Sequence, residues 1–131
     1  MKDRYIRQQT YRDIREEGQQ KILESRVVII GLGAIGSRTA ELLVRAGVGF
    51  IRLIDRDIVY LQNLQRMSLY TEEDALKEAP KATAAADHLR QINSEVVCEP
   101  VMEDVNSANI DSMILDADLV LDGTDNAASK F

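Results

Sequence analysis

A short glycine-rich stretch restricts the folds open to this chain more than any other feature of its sequence. Gly31, Gly33 and Gly36 form GLGAIG, directly after the apolar run RVVII (26–30) and before a segment with helical periodicity. In nucleotide-binding βαβ units, the first glycine permits a tight turn, the second lets the backbone approach a phosphate, and the third allows close packing of helix on strand. The stretch predicts a nucleotide-binding loop at a helix N-terminus, where backbone amides attract anions, with a purely structural glycine turn as the alternative.

Beyond this loop, short apolar runs alternate with helical segments, which is typical of a parallel sheet covered by helices. A chain of 131 residues has room for one domain. The sequence predicts an α/β fold with a Rossmann-like, doubly wound and mostly parallel sheet, truncated after its fourth strand. In the usual order 3-2-1-4, the strands are expected at 26–30, 50–54, 96–102 and 118–121. Helices are expected at 34–46, 80–92 and 108–115.

The sequence also predicts how these helices begin, end and face the sheet. Gly47 should stop the first helix, and Thr71 and Asp74 resemble a capping pair that opens a short one. Pro80 should lie in the first turn of the helix that follows. The inward-facing residues of the first helix are expected to be Ile35, Leu42, Leu43 and Ala46. Those of the helix after Pro80 are expected to be Ala82, Ala85, Ala86, Leu89 and Ile92.

Composition argues against several classes of protein. Sixteen Lys and Arg against 22 Asp and Glu give a net charge of −6, which argues against nucleic acid as a partner. No apolar run approaches the ~20 residues of a membrane span and the first residues do not resemble a secretory signal, so we expect a cytoplasmic protein without a membrane partner.

The single cysteine, Cys98, cannot form an internal disulfide, and its apolar surroundings favour a buried core thiol over a nucleophile.

A carboxylate follows the second predicted strand at the position expected for a ribose ligand. Asp55 ends the run FIRLID, downstream of the glycine loop, where a carboxylate accepts hydrogen bonds from ribose hydroxyls. The same loop and carboxylate serve NAD and ATP equally. They therefore predict a nucleotide without deciding which one.

Side-chain cations bear on the choice between ATP and NAD. A triphosphate whose pyrophosphate departs needs several of them, and Arg66 and Lys81 are candidates near the edge where ligands bind. Asp122 and Asp125, in DGTDN after the fourth predicted strand, should converge on that edge, where a carboxylate can hold the magnesium that accompanies ATP. The alternative is that Arg66 is a solvated loop charge and that Lys81 is a residue of the first helical turn without a role in binding.

Several sequence motifs, taken in order along the chain, resemble those of a known family. The segments RYIRQ, GLGAIGS, RAGVGFIRLIDRDIV, NLQR, APKA and DGTDN occur in this order in the ThiF/MoeB/HesA group, the bacterial relatives of ubiquitin-activating enzymes. The resemblance spans nearly the whole chain. It implies that residues 1–131 are the N-terminal nucleotide-binding part of a single adenylation domain, inactive as a fragment.

The resemblance implies a role for each matching position. The glycines would surround the phosphates of ATP, Asp55 would hold the ribose and Asp57 would support the site beside it. The triphosphate would be contacted by Asn63, Arg66 and Lys81, and Asp125 would bind magnesium. Arg7 would enter the site of a partner subunit in a homodimer, with a helix-surface charge as the alternative.

The implied reaction is attack by the C-terminal Gly-Gly carboxylate of a ubiquitin-like sulfur carrier, of ThiS or MoaD type, on the α-phosphate of ATP. The resemblance does not choose between thiamine and molybdopterin biosynthesis, and zinc would enter only through a C-terminal part.

Met67 and Lys130 depart from the usual family pattern. The segment 72–79 is also slightly longer than in many relatives, which affects how far Lys81 can reach toward the nucleotide. An NAD-dependent oxidoreductase and a nucleotide-binding fragment without turnover remain the alternatives.

Overall fold

The computed structural model describes residues 2–124, which form a four-stranded, all-parallel sheet flanked by helices. The strand order is β3-β2-β1-β4, as predicted. Ile30 lies beside Ile54 on one side and Asp122 on the other, so the carboxyl ends of three strands meet at one edge. The strands are β1 (Arg26–Ile30), β2 (Phe50–Ile54), β3 (Val97–Val101) and β4 (Leu119–Asp122).

Six α-helices connect or flank these strands within the described residues. The predicted helix 34–46 is confirmed, and Gly47 ends it in the left-handed conformation, at φ 96°. The predicted helix 108–115 is shorter than expected, and Pro80 precedes its helix as N-cap instead of lying in the first turn. The helices are α1 (Ile6–Gln9), α2 (Arg15–Glu24), α3 (Ala34–Ala46), α4 (Glu72–Leu76), α5 (Lys81–Ile92) and α6 (Ile110–Ile114). None of them is long and apolar enough to cross a membrane.

The two faces of the sheet are covered unequally. One face packs against α3 and α5 in a large apolar core, to which the predicted stripe of α5 contributes Ala82, Ala85, Ala86 and Leu89 at 0% exposure. The other face packs against α6 in a smaller cluster around Met113. Helices on both faces confirm the doubly wound architecture. Cys98 is buried in the larger core, and this burial raises the pKa of its thiol although Arg90 opposes the shift, so its prediction as a core residue is confirmed.

The prediction of the inward face of α3 was partly wrong. Ile35 and Leu42 are 73% and 52% exposed, whereas Ala40 and Val44 are fully buried. Because α3 starts in backbone contact with the end of β1, its buried face begins at Gly36 and Ser37. Leu43 packs against the core as predicted. Sequence reasoning assigned large apolar side chains to the core and was therefore wrong at Ile35 and Leu42.

The N-terminal segment packs at the end of the domain opposite the glycine loop. Gln8 and Gln19 both donate through Nε2 to the Ala46 carbonyl at 3.0 and 3.1 Å, which satisfies a carbonyl at the C-terminus of α3. The Tyr5 hydroxyl accepts a hydrogen bond from Asn93 Nδ2 at 2.9 Å, just after α5. The segment containing α1 and α2 is thereby fixed to the C-terminal ends of α3 and α5.

Gly36 and Gly33 of the glycine loop differ in the space that surrounds them. A Cβ on Gly36 would lie 1.8 Å from the Gly31 carbonyl oxygen, a backbone atom that cannot move aside. A Cβ on Gly33 would meet only the Met67 methyl, at an ordinary 3.7 Å. Gly36 is therefore required by helix-strand packing, whereas Gly33 leaves open space.

We expect Gly36→Ala to destabilise the fold by about 3 kcal/mol, because overpacking against rigid backbone outweighs the helix propensity that alanine gains. Gly33→Ala should stay within about 1 kcal/mol of the parent, because its Cβ meets no backbone. Urea unfolding of both variants measures these values. Equal stability of the two variants would contradict the close contact at Gly36.

A hydrogen-bonded pair joins the short helix α4 to α5. Thr71 and Asp74 form the predicted capping box, and Asp74 Oδ2 also contacts His88 Nε2 at 2.6 Å. Burial raises the pKa of Asp74, but hydrogen bonds from His88 and Thr71 outweigh it and hold the pKa below its ordinary 3.8. The ionised carboxylate is thus the form that the folded chain prefers.

A carboxyl with a lowered folded pKa stabilises the fold above its unfolded pKa and loses this contribution as the pH falls through the folded value. Asp74→Asn should therefore cost about 1 kcal/mol at pH 7, and the difference from the parent should shrink below about pH 4. Urea unfolding at pH 7 and pH 3 measures both values. The control is Glu73→Gln, which removes an exposed ion pair with Lys77 and should change stability by less than about 0.5 kcal/mol.

Candidate functional site

A cleft opens at the carboxyl edge of the sheet, next to the glycine loop. Ligands of open α/β sheets bind at this edge, where loops from neighbouring strands diverge. The loops after all four strands contribute to it, together with the first residue of α5. Its polar and glycine lining residues are Gly31, Gly33, Asp55, Arg56, Asp57, Lys81, Glu103, Asp104, Gly123 and Thr124.

The glycine loop presents backbone to this cleft. Gly31 has φ 92°, in the left-handed region that glycine adopts without strain, and a Cβ there would lie 2.9 Å from Gly123. Gly33 is the N-cap of α3, and no side chain caps the free amides of the first turn. These amides carry the partial positive charge of the helix N-terminus, so the loop is suited to an anion.

Asp55 holds the backbone around the cleft in place. Its Oδ2 accepts the Leu32 amide at 2.7 Å, and its Oδ1 accepts the Asp57 amide at 2.8 Å. One carboxylate therefore ties the glycine loop to the segment after β2. Each oxygen has a further lone pair, so ribose binding remains compatible with these bonds.

Lys81 brings a positive charge to the cleft. It is the first residue of α5 and only 6% exposed, and its amide donates to the Asp57 carbonyl at 2.9 Å. Within residues 2–124, its ammonium group has no hydrogen bond or ion pair. Since Lys81 lines the cleft, an anion bound there would supply the counterion for this ammonium.

The structure leaves two predicted triphosphate ligands outside the cleft lining. Asn63 is buried and its Oδ1 accepts the Tyr60 amide at 3.0 Å, so it caps the 3₁₀ turn Leu61–Asn63. Arg66 is exposed, and its Nη1 donates to the Gln62 carbonyl at 3.2 Å. The neighbouring Met67 is buried near Gly33, and Arg66 itself does not line the cleft.

Arg7 lies at the opposite end of the domain. Its neighbour Tyr5 contacts Gly47, beyond the last residue of α3, whereas the glycine loop precedes the first. Thirteen helical residues separate the two ends, a length of roughly 20 Å at 1.5 Å per residue. An arginine side chain cannot span that distance, so Arg7 is positioned to act only outside its own cleft. Asp125, predicted to bind magnesium, lies outside the described residues.

Sequence reasoning missed several residues in or near the cleft, among them Glu103, Asp104 and Tyr70. Glu103 and Asp104 line it from the loop after β3, and Asp104 pairs with Arg56 at 3.4 Å. Their place directly after a strand was a usable signal. Tyr70 donates its hydroxyl hydrogen to the Leu32 carbonyl at 2.6 Å, a contact between residues 38 positions apart that no local pattern reveals.

Tyr70 is a neutral donor under all ordinary conditions. It is 6% exposed, and burial raises the pKa of its hydroxyl far above the usual value, with further contributions from Asp55 and Asp74. Ionisation of Tyr70 therefore does not interfere with its hydrogen bond to the glycine loop.

Comparison with known proteins finds similar sequences. The chain is 50% identical over 130 residues to a sulfur carrier protein ThiS adenylyltransferase of Bacillus subtilis, covering 99% of this chain and 39% of the relative. It is 42% identical over 127 residues to a molybdopterin-synthase adenylyltransferase of Escherichia coli, covering 97% of this chain and 50% of the relative. The chain thus spans about half the length of these relatives or less.

Solved structures of other proteins have a similar fold. The tRNA N6-threonylcarbamoyladenosine dehydratase TcdA of Escherichia coli, in complex with AMP, superposes with a TM-score of 0.83 at 30% identity. The match covers 88% of this chain and 46% of that one. The model of the ThiF family matches residues 5–131. With the family model covering nearly the whole sequence, the chain belongs to the ThiF family.

Proposed function

We propose that the protein containing this chain is an ATP-dependent adenylyltransferase. Its substrate would be the C-terminal Gly-Gly carboxylate of a ubiquitin-like sulfur carrier of ThiS or MoaD type, in thiamine or molybdopterin cofactor biosynthesis. The observation that carries the proposal is the Lys81 ammonium, without an ionic partner in the described residues, in the same cleft as the open helix N-terminus after Gly33. Both features call for a strongly anionic ligand.

The relatives support this activity and leave the carrier open. One is named for ThiS and another for molybdopterin synthase, and this chain is similar to both. The TcdA structure with AMP supports an adenine nucleotide over NAD as the ligand of this fold. A cytoplasmic location fits substrates of this kind, which are made and used inside the cell.

In the proposed reaction, a carrier carboxylate oxygen attacks the α-phosphorus of ATP, the bond to the β,γ-pyrophosphate breaks, and pyrophosphate leaves with the bonding electrons. The enzyme supplies no nucleophile. Its contribution is to align two anions and stabilise the charge that grows on the phosphates. Lys81 and the amides at the start of α3 would do this, and Asp55 would hold the ribose.

The resemblance also assigns Asn63 and Arg66 to the triphosphate. Arg66 is bound only to a carbonyl on an exposed surface, a weak contact that rotation of the side chain can exchange for a phosphate oxygen. Asn63 would contribute through its Nδ2, because its Oδ1 is engaged with Tyr60. Both assignments keep the backbone as the structure has it.

Magnesium fits the donor chemistry of the cleft. Asp55, Asp57, Glu103 and Asp104 are hard oxygen donors of the kind that this ion prefers, and Mg²⁺ commonly binds through one or two carboxylates plus substrate phosphates. No cluster of three or more metal-ligating side chains occurs between residues 2 and 124. The proposal therefore places the ion on phosphates, with Asp125 as its protein ligand, where it would neutralise charge on the leaving pyrophosphate.

The direct test is magnesium-dependent ATP-pyrophosphate exchange by the intact protein with each carrier. Lys81→Ala should lower the exchange rate on the order of 100-fold, because it removes a preorganised cation from the phosphates. The matched control is Lys77→Ala on the neighbouring segment, which is 68% exposed and paired with Glu73. This control should leave the exchange rate within about twofold of the parent.

Two results would count against the activity. Unchanged exchange in Lys81→Ala would remove Lys81 from the reaction. Tighter binding of NADH than of ATP by the unmodified protein would instead support the oxidoreductase alternative, and binding of ATP without exchange would support a nucleotide-binding role alone.

We also propose a homodimer in which Arg7 acts in the partner's cleft, because the length of α3 keeps it out of its own. Arg7→Ala and Lys81→Ala subunits should each be inactive alone. Mixing them in equal amounts should restore about a quarter of the parent activity per subunit, since half the dimers are mixed and each holds one intact site. The exchange assay on the mixture measures this rescue, and its absence would exclude a shared site.

A further inference from the structure

We propose that Tyr70 is a positioning residue of the glycine loop, whose hydroxyl turns the Gly33 amide toward the phosphates of the nucleotide. This inference rests on the proposed binding of ATP in the cleft. Tyr70 does not touch the cleft itself, since it contacts the loop from the protein interior through the Leu32 carbonyl.

Leu32 is held on both sides by side chains distant in sequence. Its amide donates to Asp55 Oδ2 at 2.7 Å, and its carbonyl accepts the Tyr70 hydroxyl at 2.6 Å. These two bonds belong to the two successive peptide groups on either side of the Leu32 Cα. Since Leu32 is also 0% exposed, its backbone has no freedom to rotate without breaking one of them.

The second of these peptide groups determines where the Gly33 amide points. In a trans peptide, the carbonyl and the following N–H lie in one plane and point in opposite directions, and the chain has no cis peptide bond in its described part. Tyr70 draws the Leu32 carbonyl into the interior, so the Gly33 N–H points outward. Gly33 lines the cleft, and nothing in residues 2–124 accepts its amide hydrogen.

The ring of Tyr70 is fixed independently of this hydrogen bond. The next residue, Thr71, is the N-cap of α4, and Asp74 of the same capping box contacts His88 on α5. Tyr70 also belongs to the larger apolar core. A phenylalanine at this position would therefore keep its place and lose only the hydroxyl.

The test compares two tyrosines whose hydroxyls are both hydrogen-bonded within the fold. Tyr70→Phe frees the Leu32 carbonyl beside the cleft. Tyr5→Phe is the matched control, because Tyr5 is equally buried at 6% exposure and bonded to Asn93 at the opposite end of α3 and α5. ATP affinity of the intact protein, measured by calorimetry, and the exchange kinetics give the readouts.

We expect Tyr70→Phe to raise the Kd and the KM for ATP about 5- to 10-fold, the effect of one neutral hydrogen bond, with kcat within about twofold of the parent. Tyr5→Phe should leave the Kd for ATP unchanged, although both variants lose thermal stability. An unchanged Kd in Tyr70→Phe, or an equal rise in both variants, would overturn the positioning role while leaving ATP binding intact. Failure of the unmodified protein to bind ATP would instead overturn the proposed function and this inference together.

Discussion

The contact between Gly36 and the Gly31 carbonyl is the constraint on which the rest of the structure depends. It sets α3 against the end of β1 so closely that a single methyl group has no space. This contact places the free amides of the helix at the carboxyl edge of the sheet, where the ends of β2 and β4 also lie. The anion site proposed at this point would result from backbone packing before any side chain contributes.

Side chains then convert this backbone site into one suited to a nucleotide. Asp55 joins the glycine loop to the segment after β2, and the Asp57 carbonyl in that segment accepts the amide of Lys81. The glycine loop, Asp55 and Lys81 are thus connected through three consecutive hydrogen bonds.

Sequence reasoning recovered the features that depend on local pattern. The strands, the strand order, the limits of α3 and the capping box at Thr71 each rest on residues close in sequence or on the general rules of parallel sheets. It failed at Ile35 and Leu42 because the inward face of α3 is decided by a backbone contact that hydrophobicity does not encode. The hydrogen bond between Tyr70 and Leu32 joins distant segments. The hydrogen bond from Arg66 to the Gln62 carbonyl depends on the local surroundings in the fold. Neither can be read from a motif.

The position of β4 in the sheet also has a consequence for how the protein is made. β4 pairs with β1, and Asp118 contacts Arg26, 92 positions away in the sequence. The glycine loop completes its contacts only when the Gly123 amide bonds to the Ile30 carbonyl. During synthesis, β1, α3 and β2 emerge from the ribosome long before this closing strand. Until β4 has been synthesised, the nascent domain therefore has a glycine loop that lacks its contact with Gly123.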